Sequence, residues 1–166
     1  MADIIADGMT RIAWVPTIAN IGAPTVAELN AGILLTDKLT PDGLKNLMAD
    51  TADVDNSSMA STYDTTDNGR DSFKNVSLLL KKQDGTDTIY NTLVKGATGN
   101  LVVRRDITQG TAWASSQGSG GTNGTLAVFP AKCARRRRID PAANEVTKYE
   151  VPLKIYAQPN EDAVVA

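Results

Sequence analysis

Histidine is absent from the 166-residue chain, and cysteine occurs once, at Cys133. Without histidine there is no Ser-His-Asp or Cys-His nucleophilic catalysis, no imidazole-ligated zinc and no proton shuttle of the usual kind. A single cysteine excludes an intrachain disulfide, a thiolate zinc cluster and CxxC redox chemistry. Cys133 reads most simply as a small buried side chain. Aromatic residues make up 5% of the sequence, and no aromatic-rich cleft accompanies any pair of carboxylates suited to glycoside hydrolysis. No apolar run approaches the roughly 20 residues that a membrane-spanning helix needs, so no membrane insertion by this chain is expected. The N-terminal stretch carries Asp3 and Asp7 and has no basic region ahead of an apolar core. It does not read as a secretory signal. Catalytic residues, cofactors and metals are all expected to be none.

What the chain does have is length for one domain, residues 1–166, with 13 glycines and 7 prolines. A domain of this size buries roughly two-thirds of its unfolded surface and needs no staple. The net charge is −2, but it is unevenly placed. Residues 1–72 hold 4 basic and 11 acidic side chains, net −7; residues 73–166 hold 13 basic and 8 acidic, net +5. Such a division permits head-to-tail complementarity between copies, or simply two differently charged solvated faces.

Alternating apolar residues predict strands at Thr10–Val15, Ile33–Thr36, Phe73–Lys82, Leu101–Arg105 and Glu145–Ala157. In the last, Tyr149, Val151, Leu153 and Ile155 share a face, and Pro152 marks an edge or a bulge. Pro24 is expected in the first turn of a short helix ended by Gly32, and Asp87 is expected to cap a helix reaching Lys95. The tail from Gln158 reads as loosely held. Residues 108–125 form a glycine-rich loop. The long polar region at about 40–72 carries scattered apolar anchors: Leu44, Leu47, Met48, Val54, Met59 and Tyr63. It either holds short strands or forms an arm that packs on a neighbouring subunit. The fold class is mainly β (α+β): a sandwich or barrel with a short flanking helix and long extended loops.

Two motifs invite chemistry and fall short of it. Asp50, Asp53 and Asp55 lack the glycine and terminal glutamate of a calcium loop, so a solvated turn is preferred over a metal-dependent hydrolase. Gly118–Gly124 has no following Lys-Ser/Thr and is no phosphate-binding loop. The third feature is the run Arg135, Arg136, Arg137 and Arg138. It suits phosphate contact, intersubunit ion pairing or plain solvated surface. If it lies on a strand, alternate side chains point opposite ways and the four cannot share one face.

The stretch Arg11 to Gly32, RIAWVPTIANIGAPTVAELNAG, resembles the N-terminal part of major tail proteins (tail tube proteins) of long-tailed, non-contractile phages, especially those of actinobacterial hosts. Similar segments follow in order: Tyr63-Asp64, Gly69-Arg70, the Leu78-rich strand, Asp87–Tyr90, Gly99–Arg104 and Asn144–Leu153. The resemblance implies a structural virion protein and no enzyme. It implies a tail-tube β fold, and hexameric rings of one chain stacked into a tube around a tape measure protein. The tail terminator and the distal tail protein would be further partners, and genomic DNA would cross the lumen without specific binding. The location implied is the virion tail, reached from the host cytoplasm where assembly occurs. By the same analogy residues 40–72 would bridge subunits, 108–125 would be a surface or ring-contacting loop, and Arg135–Arg138 would lie between subunits or rings. A tail terminator or head–tail joining ring protein is the alternative within that class. A nucleic-acid-binding module using Arg135–Arg138 is the alternative outside it.

Overall fold

A computed structural model describes residues 7–115 and 126–166. The centre of the glycine-rich loop, 116–125, lies outside the described residues. In chain order the elements are β1 (Arg11–Val15), α1 (Val26–Asn30), β2 (Ile33–Leu34), β3 (Leu39–Lys45), β4 (Asp50–Asp55), β5 (Thr66–Ser72), β6 (Ser77–Lys81) and α2 (Thr88–Thr92). They continue with β7 (Thr98–Arg104), a 3-10 turn (Trp113–Ser115), β8 (Leu126–Cys133), β9 (Arg137–Arg138), β10 (Lys148–Ile155) and β11 (Asn160–Ala163). The expected class holds: the molecule is a curled, half-barrel β-sheet with a few short helices.

The main sheet runs β2-β1-β7-β8-β10-β6-β3, antiparallel throughout. β9 extends the line of β8 alongside β10, and β11 extends the line of β10 alongside β8. One face of the sheet closes over Trp14, Leu78, Leu80, Leu101, Val103, Phe129, Val151 and Leu153, with Ile89 of α2 and Leu93, just past its end, added to the same cluster. The opposite face of β1, β7 and β8 is covered by Leu29 of α1, Trp113 and Ala163. The central strands are therefore buried on both sides, which is why β8 reads as an apolar run and not as an alternation. Gly99 is small for a direct reason: a Cβ there would lie 2.7 Å from the Trp14 ring.

Several expectations need correction. Pro24 precedes α1 instead of entering it, and Thr25 is the cap. The Thr25 hydroxyl accepts from the Glu28 N–H, while the Glu28 carboxylate accepts from the N–H groups of Thr25 and Ala19. α2 ends at Thr92, leaving Val94 exposed, so the predicted helix to Lys95 is too long. The tail is held: β11 pairs with β8, Ala163 is buried, and the N–H groups of Val164 and Ala166 donate to Gly22 and Pro24.

Pro152 lies in an interior strand, not at an edge. Its carbonyl accepts from Ala134, so its missing N–H faces the gap between β8 and β9, where three residues of one line oppose two of the other. Pro130 in β8 follows the same logic. Its carbonyl accepts from Tyr156, at the break between β10 and β11. Each proline directs its absent donor to a place where the neighbouring line is interrupted.

Candidate assembly interface

The polar region predicted as a loop at 40–72 divides at about Met48. Leu44 sits on β3 and packs partly buried against the core, and Leu47 is buried within it. Beyond that point the chain leaves the body. β4 and β5 pair only with each other, from Asp50 opposite Ser72 to Asp55 opposite Thr66, and form a separate two-stranded sheet. Lys45 pairs with Ser77, so this arm is an insertion between two adjacent strands, β3 and β6. All six residues of β4 are exposed, as are Met48, Val54, Met59 and Tyr63.

The arm is ordered by polar contacts. Thr51 donates to Asp71 at 2.6 Å, Lys74 reaches Asp50 at 2.5 Å, and Ser57 and Thr65 exchange hydrogen bonds near the tip. The Ser57 hydroxyl and N–H hold the Asp55 carboxyl below the ordinary carboxylate value. A lone two-stranded hairpin is marginal in water, and among the described residues no further strand pairs with this one.

The arginine run begins where β8 ends. Arg135 is exposed. Arg136 is half-buried, stacks 3.7 Å from the Tyr90 ring centroid and donates to the Tyr90 carbonyl. Arg137 and Arg138 form β9; Arg137 lies 3.8 Å from Glu150, while Arg138 hydrogen-bonds the Tyr90 phenol. The four side chains do not share one face.

Lys82 approaches the Tyr90 ring at 4.3 Å and pairs with buried Asp87 at 3.3 Å. The Arg138 hydrogen bond, followed by the Arg136 charge, lowers the Tyr90 phenol below its ordinary value. Beneath it, burial raises the Tyr149 phenol well above its own. These groups bound a cleft of about 420 Å³ lined by Lys82, Tyr90, Arg138, Ile139, Pro141, Lys148 and Tyr149 among others. Two further clefts flank the sheet. One of about 490 Å³ lies between the start of β1 and β3, and one of about 710 Å³ lies between the root of the arm and the β10–β11 connection.

Sequence reasoning missed Arg104. Its guanidinium is fully buried and donates to the carbonyls of Thr108, Thr111 and Ala112 at 2.9 to 3.0 Å. Arg104 and Arg11 both lie over Trp113, at 5.2 and 4.5 Å. This cluster pins the start of the loop that composition alone marks as free. The only available signal was an arginine ending an otherwise apolar strand. Among the described residues, no group of three or more His, Cys, Asp or Glu is placed to hold a metal ion. Asp50, Asp53 and Asp55 are instead spread along the exposed β4.

A half-barrel with exposed outer strands, a projecting polar hairpin and a cationic cleft defines a β-structured scaffold whose unpaired features lie on its surface. The family described as phage tail tube protein matches residues 1–166, and the chain belongs to that family. No curated protein sequence matches it. In fold, it is similar to a chain in the sheath/tube terminator of an extracellular contractile injection system in its extended state, with TM-score 0.61 and 8% identity over 96% of this chain and 97% of that one. It is also similar to a chain in the baseplate of the anti-feeding prophage, with TM-score 0.59, 10% identity and 96% of each chain covered. A chain in the sheath–tube complex of the first system gives 0.58 and 10%, over 96% of this chain and 92% of that one.

Proposed function

We propose that this chain is a structural virion protein whose six-membered rings stack into the tail tube of a long-tailed, non-contractile phage, a conduit for genomic DNA. Membership of the tail tube family along residues 1–166 carries the reading. The open strands β2 and β3 support it, because exposed strand edges pair readily with another chain. The arm supports it too, since the apolar side chains Met48, Val54, Met59 and Tyr63 stand exposed among the described residues. In this reading they meet a neighbouring copy, as does the surface around Arg135–Arg138. Further partners are a tape measure protein, a tail terminator and a distal tail protein. DNA passes through the lumen without specific binding, and the protein resides in the virion tail after assembly in the host cytoplasm.

A second reading, a terminator that stops at one ring, is favoured by the likeness to the terminator chain. Negative-stain microscopy of the purified protein over a concentration series separates the two. Tubes that lengthen with concentration are expected. Single rings that never stack would favour the terminator, and a folded monomer at every concentration and salt would overturn both.

A further inference from the structure

We infer that the Tyr90–Arg138 cleft is a receptor for the β4–β5 arm of a second copy of this chain. The inference rests on the assembly reading above and adds to it the surface on which the arm seats.

Charge is the first argument. Residues 50–72 contain six aspartates and a single arginine, with no lysine. Asp50 is paired with Lys74. Among the described residues, Asp53, Asp55, Asp64, Asp67 and Asp71 have no cation within ion-pair distance. At the cleft the situation is reversed. Its lining holds Lys82, Arg138 and Lys148 against one carboxylate, Asp140. Lys82 and Lys148 have acidic partners, whereas Arg138 has none among the described residues, nor has Arg136, which stacks on the Tyr90 ring. Each surface carries an excess that the other would neutralise.

Shape is the second. The cleft is lined by the apolar side chains of Ile139 and Pro141 and by Tyr90, together with the cationic Lys82, Arg138 and Lys148. Strand alternation puts Asp53 and Asp55 on one face of β4, and the tip that follows carries the exposed side chains of Met59 and Tyr63. A carboxylate face that leads into an apolar tip suits a cleft with both basic and apolar lining.

Topology is the third. The arm departs where Lys45 meets Ser77, at the start of β6. The cleft lies at the other end of β6, where Lys81 pairs with Lys148 and Lys82 donates to Thr147. Root and cleft thus face opposite ends of one strand. The legs of six and seven residues carry the tip roughly 20 Å further from the root. An arm leaving one end and a receptor at the other make a heterologous contact, which repeats indefinitely or closes into a ring.

The test combines cross-linking with charge reversal. A photoreactive phenylalanine analogue replaces Met59 in the full chain, and cross-linked peptides are identified by mass spectrometry. Cross-links from the arm to residues 82–90 or 136–149 of another copy are expected. In parallel, D53K/D55K and R138E/K148E should each raise the concentration needed for assembly about tenfold or more, while the combined four-site variant recovers part of the loss. Circular dichroism confirms that each variant is folded. Assembled protein whose arm cross-links only elsewhere, or whose assembly ignores both reversals, overturns the cleft assignment and leaves the tube reading standing. A wild-type chain that stays monomeric and gives no cross-link between copies overturns both.

Discussion

β8 and β4 are both paired strands, yet they live in opposite surroundings. Of the eight residues of β8, only Lys132 is exposed; of the six in β4, every one is. β8 is bonded on both edges and packed on both faces, while β4 has one partner and no layer over it. Backbone hydrogen bonds are present in both, and each contributes little net stability because water offers the same bonds to the unfolded chain. The difference lies in apolar area removed from water, roughly 1.5–3 kcal/mol for each large side chain fully buried. The body of the protein is therefore self-sufficient. The arm is an ordered polar element whose apolar residues gain nothing until another surface covers them.

The strongest way to break this contrast is to damage the β8 side. Phe129 is buried and meets Phe73 edge-to-face with centroids 5.7 Å apart. Phe129→Ala should lower unfolding stability by about 3–5 kcal/mol, read from the urea midpoint at unchanged slope. A loss below about 1 kcal/mol would mean that the core is not where stability resides.

Two carboxyls sharpen the same contrast at smaller amplitude. Asp87 and Asp55 are both held below the ordinary carboxylate value. Asp87 is buried, and burial opposes its ionisation. The N–H groups of Gln83 and Tyr90 and the Lys82 ammonium outweigh that opposition. A depressed folded value means that the stabilisation is complete above the ordinary carboxylate range, near pH 4. It is lost as pH falls through the lower folded value. Asp87→Ala should cost about 1–2 kcal/mol at neutral pH, through the lost cap of α2 and the lost charge-assisted bonds. Melting curves of that variant between pH 7 and pH 3 should fall less steeply than wild type. Asp55→Ala, on an exposed carboxylate in the arm, should move the midpoint and its pH dependence in the same sense but far less than Asp87→Ala.

The same contrast explains what could be read in the sequence. β10 was legible because burial on one face writes an alternation, Tyr149, Val151 and Leu153; β1 and β6, buried on both faces, were legible as short strands rich in apolar residues. The cap at Asp87 was legible from local chemistry. Short strands within 40–72 were one of two readings, but β4 and β5 could not be located, because a hairpin exposed on both faces selects no apolar period, and Asp53 or Thr66 carries no strand signal of its own. Pro152 pointed to an edge or a bulge, and the sequence could not choose between them because the irregularity that tolerates it belongs to the neighbouring line, which no local pattern records. Arg104 was illegible because its carbonyl partners between Thr108 and Ala112 exist only once the loop has folded back. The arginine run was read correctly as unable to share one face, but its engagement with Tyr90 depends on α2 and could not be seen from residues 135–138 alone.

The smallest expected effect on stability is also the most informative about the arm. Because Lys45 and Ser77 are paired neighbours, replacing residues 50–72 with a short Gly-Ser turn leaves β3 and β6 joined by an ordinary connection. The excision removes no residue of either buried cluster. It also shortens the loop that folding must close, which returns about 1 kcal/mol of closure entropy. The excised protein should therefore unfold at the same denaturant concentration as wild type or slightly higher, and its circular dichroism should lose only the strand signal of the hairpin. Wild-type amide exchange should agree, with fast exchange in β4 and β5 in free subunits and slow exchange in β7 and β8. If excision instead destabilises the body by several kcal/mol, the hairpin is part of the cooperative fold and its exposed residues have a stabilising role within their own chain. If stability holds and assembly fails, the division is complete: the two buried clusters hold the subunit together, and the arm joins it to the next.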